Sequence, residues 1–388
     1  MNYSKALVDL GLELSKLDPA LFFFFEDHSN DKSEVRKPSG IISTHVDDSL
    51  SVGSETFREK VEKPMMNKFT YGAHDDPPFR YVGFCVKKTK DAITLDQDHY
   101  IKTLCKTDLK LNPEAKLDDL LVEQDQVRFR SVAAKLAMLS VTSRPDLAFE
   151  AKIMTTRYGK ATKRDMREAL RRLRKLKTES TRMVYPNLGK LKDWVILGFA
   201  DASLYAMPDR VGSVGGQVLM MANRKTDRAC VLGWRSKQLS RVVHSSLAAE
   251  ALSLMELFGD LTYTKQMLLQ IFGTQVNQIP VIAVTDSNNL HQAVHSIKSV
   301  EDKRLVSTIA ELKEAMSMEF CAHELRHLPG QFMIADGLTK KGGQNEELMC
   351  VLQTGRYTLQ GGWDIVRRTG FTIRSWMDMN KEDEEILE

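Results

Sequence analysis

The chain has 388 residues, of which 42% are hydrophobic and 28% charged, enough for two or three soluble domains, and no run approaches the ~18 apolar residues of a membrane span. Its formal net charge of +3 does not by itself announce a nucleic-acid binder. Cys85, Cys105, Cys230, Cys321 and Cys350 are scattered and form no CxxC pair, which argues against a zinc site or a disulfide scaffold; with no secretory signal visible, the expectation is a cytoplasmic or nuclear protein that is not secreted.

In chain order, residues 3–16 place apolar side chains at helical spacing and predict an amphipathic helix. Pro19 breaks it, and the phenylalanines of LDPALFFFF suit a strand. After a polar loop, GIISTHVDDSLSVGS predicts a hairpin: a strand over Ile41–His45, a tight turn carrying Asp47 and Asp48, and a return to Val52. Aspartate is a common turn residue, so these two acids have a plain structural reading. Residues 55–70 predict a helix kinked by Pro64, and a second hairpin follows with strands over 79–87 and 92–96. A helix then starts near Asp96 or Asp98, and the acidic stretch 112–126 reads as a loop.

From Arg128 to Lys177 the chain reads as helical, interrupted by Pro145. Its last part sets Lys160, Lys163, Arg164, Arg167, Arg171, Arg172, Arg174, Lys175 and Lys177 against only Asp165, Glu168 and Glu179, with Lys163, Arg164, Arg167, Arg171, Arg174 and Lys175 the candidate contacts. A charged face is usually a solvated face, but charge of one sign weakens a helix through i,i+4 repulsion. A polyanion alongside would relieve that cost, so this helix is a candidate nucleic-acid contact. PNLGK at 186–190 reads as a turn and a domain boundary.

The next stretch places four acids beside residues that prefer burial. The strand WVILGFADAS delivers Asp201, the helix SSLAAEALSLMELF carries Glu250, the strand PVIAVTDS delivers Asp286, and IADGLTKK sets Asp336 at the start of a helix over 333–341. Each acid alone could be a turn or cap residue. A buried carboxylate costs several kcal/mol unless a cation holds it. Four that converge make a site for a hard divalent cation, with Mg²⁺ the first candidate. Three strands in a meander followed by helix–strand alternation predict a mixed α/β sheet with helices on its faces. Residues 344–388 begin as a helix and end in NKEDEEILE, an end expected to be partly disordered.

Taken together, THVDDSLSVG, YVGFCVKK, LDQDHYIKTL, FRSVAAKLAMLSVTSRPDLAF, FADAS, SSLAAEAL, VTDSNN and IADGLTKK make the chain resemble the C-terminal part of a copia-type retrotransposon polyprotein over roughly residues 5–345. The resemblance implies part of a reverse transcriptase palm over 1–110, a helical, basic thumb or connection over 111–190, a ribonuclease H domain over 191–343 and a tail over 344–388. The implied fold class is α/β (α+β): an incomplete palm and thumb, then a ribonuclease H-like mixed five-stranded sheet. Two departures concern the polymerase. The family's first catalytic Asp would lie upstream of residue 1, and the Tyr of the family's YVDD hairpin is His45 here. Asp47 and Asp48 are therefore expected to be a polymerase remnant.

By the same resemblance, Asp201, Glu250, Asp286 and Asp336 would bind two Mg²⁺ ions about 4 Å apart, with Mn²⁺ an alternative, and cleave the RNA strand of an RNA–DNA hybrid. Four acids so close are expected to have raised, coupled pKa values. His327 would be the mobile histidine that assists product release, and a structural strand-end histidine fits that position equally. The pairs His323/His327 and His291/His295 lack the further ligands of a zinc site. Ser203, Ser287 and Arg210 lie where they could meet nucleic acid, with caps and turns the plainer reading. The expected partners are an RNA–DNA hybrid and the rest of a polyprotein, with no membrane; the oligomeric state stays open. Two alternatives stand beside this: a polymerase fragment that needs an upstream part, and a non-catalytic nucleic-acid-binding remnant. Without fingers, apolar surface around Phe22–Phe25 and 79–86 would be exposed and would favour self-association.

Overall fold

A computed structural model describes residues 3–26, 38–72, 75–104, 116–207, 212–296, 303–317 and 322–363. Near the N-terminus, α1 (Tyr3–Asp9) is shorter than the apolar spacing predicts. Gly11 turns the chain with a φ of +86°, and β1 (Glu13–Leu14) then pairs with β2 (Leu21–Phe24). The predicted hairpin is present as β3 (Gly40–His45) and β4 (Asp48–Gly53), which complete an antiparallel sheet in the order β1-β2-β3-β4.

Behind that sheet run α2 (Glu55–Phe57), one π turn over Arg58–Glu62 and α3 (Lys63–Lys68). Pro64 follows the π turn directly; it has no N–H to continue the regular ladder, so the irregularity falls there. Phe57 is fully buried over the paired Gly40 and Gly53, where a Cβ on either glycine would run into its ring. Phe22, Phe23 and Phe24 are 1%, 4% and 5% exposed, which overturns the expectation of bare aromatic surface there. The helix supplies the cover: Phe57, Val61 and Met65 share a core with Phe22 and Phe24.

The predicted strand over 79–87 is two strands, β5 (Phe79–Tyr81) and β6 (Phe84–Lys88), because Val82 and Gly83 both take positive φ and turn the chain back. β7 (Ala92–Asp96) follows. The fourth strand of this sheet, β8 (Arg182–Pro186), comes from beyond the helical region and pairs antiparallel with β7. Pro186 reads as a turn signal, but at the last position of a strand it is tolerated.

Between β7 and β8 lie α4 (Asp98–Leu104), α5 (Glu123–Thr142), α6 (Ala148–Thr155) and α7 (Lys163–Thr178), packed around Phe129, Leu136, Leu139, Leu170 and Leu173. Thr162 and Asp165 form a capping box that fixes the start of α7. The acidic stretch predicted as a loop runs into the first turn of α5, where Glu123 and Asp125 favour the helix dipole.

The third sheet holds β9 (Trp194–Ser203), β10 (Val214–Asn223), β11 (Ala229–Gln238), β12 (Val281–Thr285) and β13 (Glu324–His327) in the order β11-β10-β9-β12-β13. β10 is antiparallel to both neighbours, whereas β12 is parallel to β9 and β13. This is the mixed five-stranded sheet that the sequence predicts. β9 and β12 read as continuous apolar runs because both their faces are covered.

On one face α8 (Ser246–Phe272) lays Ala249, Leu254, Leu257 and Leu261 against Ile196, Ala200, Val281 and Ala283; α9 (Asn288–His295) and α10 (Lys303–Ser317) add Leu290, Leu305 and Ile309 to that core. On the other face Leu197, Phe199, Ile282 and Val284 meet Leu338 and α11 (Glu346–Thr354), together with Met183 from β8. The helix predicted over 333–341 is absent. In its place stand two 3₁₀ turns, Gly330–Phe332 and Asp336–Leu338. The Asn345 side chain packs where Gly337 would carry a Cβ, and this tight approach holds the chain in the turn. The acidic end over 364–388 lies outside the described residues. No helix among the described residues is long and apolar enough to cross a membrane.

Candidate metal centre

The parallel pairing of β9 and β12 sets Phe199 beside Val284, so both strands run out at one edge of the sheet. Asp201 is carried in the last residues of β9, and Asp286 follows the last residue of β12. The first turns of α8, capped by Ser245 accepting the Ala248 N–H, bring Glu250 against the same edge. Ligand oxygens of Asp201, Glu250 and Asp286 all lie within 4.8 Å of one another. Asp201 and Glu250 are 4% and 7% exposed, and Asp286 is partly buried.

Charge crowded out of water resists ionisation. Burial pushes the Asp201 carboxyl up to about 6; the Thr339 hydroxyl, donating to Asp201 Oδ2, opposes the shift, and the Asp286 charge adds to it. Burial pushes Glu250 up to about 9, helped by Asp201 and Asp286 and opposed by the Ala202 backbone N–H. Asp286 is also raised, by burial first, with the Lys340 charge opposing. Glu250 Oε2 is buried and has no hydrogen-bond partner among the described residues. Three convergent carboxylates, one with an orphaned oxygen, fit a hard divalent cation with oxygen ligands.

Asp336 stands apart from this group. Lys340 Nζ lies 2.5 Å from its Oδ1, and the Gln344 backbone N–H donates to its Oδ2 at 2.9 Å. Its charge still acts on Asp201 and Asp286. The structure thus brings together three of the four acids expected from the sequence and holds the fourth at the rim by a lysine.

Several supporting residues escaped the sequence reading. Thr339 is fully buried and reaches Asp201 from the turn after Asp336. Gly216, paired with Asp201 in register, makes room for it: a Cβ there would sit 2.6 Å from the Thr339 methyl. Beneath, Ser253 Oγ donates to the Asp201 carbonyl at 2.9 Å, and Gln217 Nε2 donates to Ser253 Oγ at 2.9 Å. Thr339 and Lys340 stand directly after the ADGL motif, which is the one signal that could have found them.

His327 ends β13, with its Nε2 3.1 Å from the Asp286 carbonyl oxygen, so it lies beside the site. The His291 ring is 4.3 Å from His295 and 6.1 Å from His327, centre to centre. His323 has a structural position: its Nδ1 accepts the Val281 N–H at 3.0 Å, and burial pushes it down to about 4. Ser287 caps α9, accepting the Leu290 N–H; Ser203 pairs with Val214 in the sheet; Arg210 lies outside the described residues. Asp47 and Asp48 are exposed at the tip of the β3–β4 hairpin, beside Val46 at 95% exposure. Among the described residues, no group with metal-ligand spacing includes them.

The basic helix is more balanced than its sequence implies. Lys163 pairs with Asp119, Arg164 with Asp118, Arg171 with Glu168, Arg172 with Glu150 and Lys175 with Glu179. The acids come largely from other segments, which a count along the helix misses. Arg167 and Arg174 are exposed and take part in none of these pairs. Arg164, Arg167 and Arg171 line a cleft of about 520 Å³ that also reaches Lys341, the neighbour of Lys340.

No protein-family model matches the chain, and no curated protein matches it. Among solved structures, LC11-RNase H1 isolated from compost, in complex with an RNA/DNA hybrid, is 18% identical, with 37% of this chain and 93% of that chain covered and a TM-score of 0.27. RNase H1 from the halophilic archaeon Halobacterium salinarum NRC-1 is 12% identical over 37% of this chain and 93% of its own, with a TM-score of 0.27. The foamy viral protease-reverse transcriptase in complex with dsDNA is 9% identical, covers 74% of this chain and 55% of that chain, and gives a TM-score of 0.37.

Proposed function

We propose that this chain is a divalent-metal-dependent nuclease of the ribonuclease H type that cuts the RNA strand of RNA–DNA hybrids. The observation that carries this reading is the buried Asp201–Glu250–Asp286 triad at the shared ends of β9 and β12, with its orphaned Glu250 oxygen. Asp201, Glu250 and Asp286 would hold the metal, and Asp336 would join them as a fourth ligand. Two Mg²⁺ ions, or Mn²⁺ in their place, would supply an activated water and stabilise the leaving oxygen. Thr339 keeps Asp201 Oδ2 in place, while Ser253 and Gln217 fix the strand beneath it. The triad's burial excludes bulk water from the carboxylates and strengthens their field. His327, beside Asp286, would assist product departure.

The hybrid would be read by backbone shape and by the 2′-hydroxyls of the RNA strand, without sequence preference. Lys163, Arg164, Arg167, Arg171, Arg174 and Lys175 would contact its phosphates, Arg167 and Arg174 first because they stand outside the helix's ion pairs. We read residues 191–343 as the nuclease of a copia-type retroelement, with a palm-like region over 1–110, a connection over 111–190 and a tail over 344–388, acting in the cytoplasm or nucleus as part of a longer polyprotein. The test is cleavage of a labelled RNA–DNA hybrid in Mg²⁺ beside Asp286→Asn. Cleavage by the parent and none by the variant is expected. A folded parent that leaves the hybrid intact in both Mg²⁺ and Mn²⁺ overturns the reading.

A further inference from the structure

The Asp336 carboxylate is bound on both sides, by Lys340 Nζ at 2.5 Å and by the Gln344 N–H at 2.9 Å, and it lies outside the compact triad. Lys340 follows Thr339, whose hydroxyl is tied to Asp201, so its backbone is anchored at the triad. Its side chain remains about half exposed, 51%, so solvent and solutes reach it. Its positive charge acts on Asp201, Glu250 and Asp286 as well as on Asp336. The four carboxylates are thus served by a cation built into the chain, paired directly with the fourth acid. The next residue, Lys341, lines a cleft together with Arg164, Arg167 and Arg171, so the segment that carries Lys340 borders a basic cleft suited to a polyanion.

We propose that Lys340 is a positioning residue: it holds Asp336 out of the triad as a tethered cation and yields it when a phosphate of the nucleic acid draws the ammonium away. This rests on the nuclease reading above. Its physical basis is competition. An ammonium paired with Asp336 competes for that carboxylate with a divalent ion, and like charges raise the cost of bringing the ion in. Metal loading is then coupled to substrate binding.

The test is Mn²⁺ binding by calorimetry to the full chain without nucleic acid, comparing the parent with Lys340→Met and Lys340→Arg. Methionine keeps the aliphatic length and removes the charge; arginine keeps the charge. Lys340→Met is expected to bind Mn²⁺ about tenfold more tightly and to gain a second ion, and Lys340→Arg to stay near the parent. Equal or weaker binding by Lys340→Met, with Mn²⁺ still bound at the triad and lost in Asp201→Asn, overturns the role of Lys340 and leaves the nuclease reading standing. No Mn²⁺ bound by any folded form overturns both.

Discussion

Two sets of acids in this chain look alike in sequence and differ in physics. Asp47 and Asp48 sit exposed to water at the tip of the β3–β4 hairpin. Asp201, Glu250 and Asp286 come from two strand ends and a helix and converge within 4.8 Å, the first two buried and Asp286 partly so. The first pair is adjacent in sequence and builds no site of its own. The second set spans 85 residues from Asp201 to Asp286 and brings its ligand oxygens together. A metal site is therefore read from where elements end in the fold, and adjacency along the chain is a poor guide to it.

The contrast can be broken most sharply by removing one carboxylate from each set. Asp201→Asn should lower hybrid cleavage at least ~100-fold, and the double change Asp47→Asn with Asp48→Asn should leave the rate within about twofold. A gel assay on labelled hybrid measures both, and equal losses would erase the distinction.

A second comparison uses heat. On the nuclease reading Mg²⁺ or Mn²⁺ would bind only the folded triad, so millimolar metal should raise the melting temperature by several degrees in the parent; EDTA should reverse this, and Glu250→Gln should abolish it. Scanning calorimetry of the hairpin double variant should show the parent's full metal response.

Proton linkage sharpens the same point. Unfolded carboxyls titrate near pH 4, while folded Asp201 titrates near 6 and Glu250 near 9. The folded metal-free chain therefore holds protons that the unfolded chain releases, and its stability falls as pH rises from about 4 to about 9. Glu250→Gln should stabilise the metal-free protein at pH 8 by about 1–2 kcal/mol, or ~3 °C, and much less at pH 5. Denaturant melts at the two pH values, with EDTA present, would settle the sign.

The smallest effects belong to the basic helix. Arg167→Ala with Arg174→Ala should reduce the salt dependence of hybrid binding by about one phosphate contact each, while Arg171→Ala, whose guanidinium is engaged by Glu168, should change it less. Binding titrations across a salt series would read this, and a steeper loss for Arg171 would reverse the assignment.

Much of the third sheet was legible in the sequence. Continuous apolar runs at β9 and β12, the meander of β9 to β11 and the long apolar spacing of α8 each reflect burial that local pattern records. Asp201, Glu250 and Asp286 were legible because each is a carboxylate at the end of such a run. Other features came only from the tertiary structure. β8 joins a sheet whose other strands lie some 90 residues earlier, and no local signal encodes a partner at that distance. The ion pairs of α7 depend on Asp118, Asp119 and Glu150, brought in by other segments. The 3₁₀ turn at Asp336–Leu338 replaces a predicted helix because Gly337 packs against Asn345, and that contact decides where Thr339 and Lys340 point. Sequence fixes which groups border a buried strand end, since burial follows polarity along the chain. Whether a carboxylate faces a metal, a lysine or water depends on which distant segment arrives beside it, and that is settled only when the chain packs.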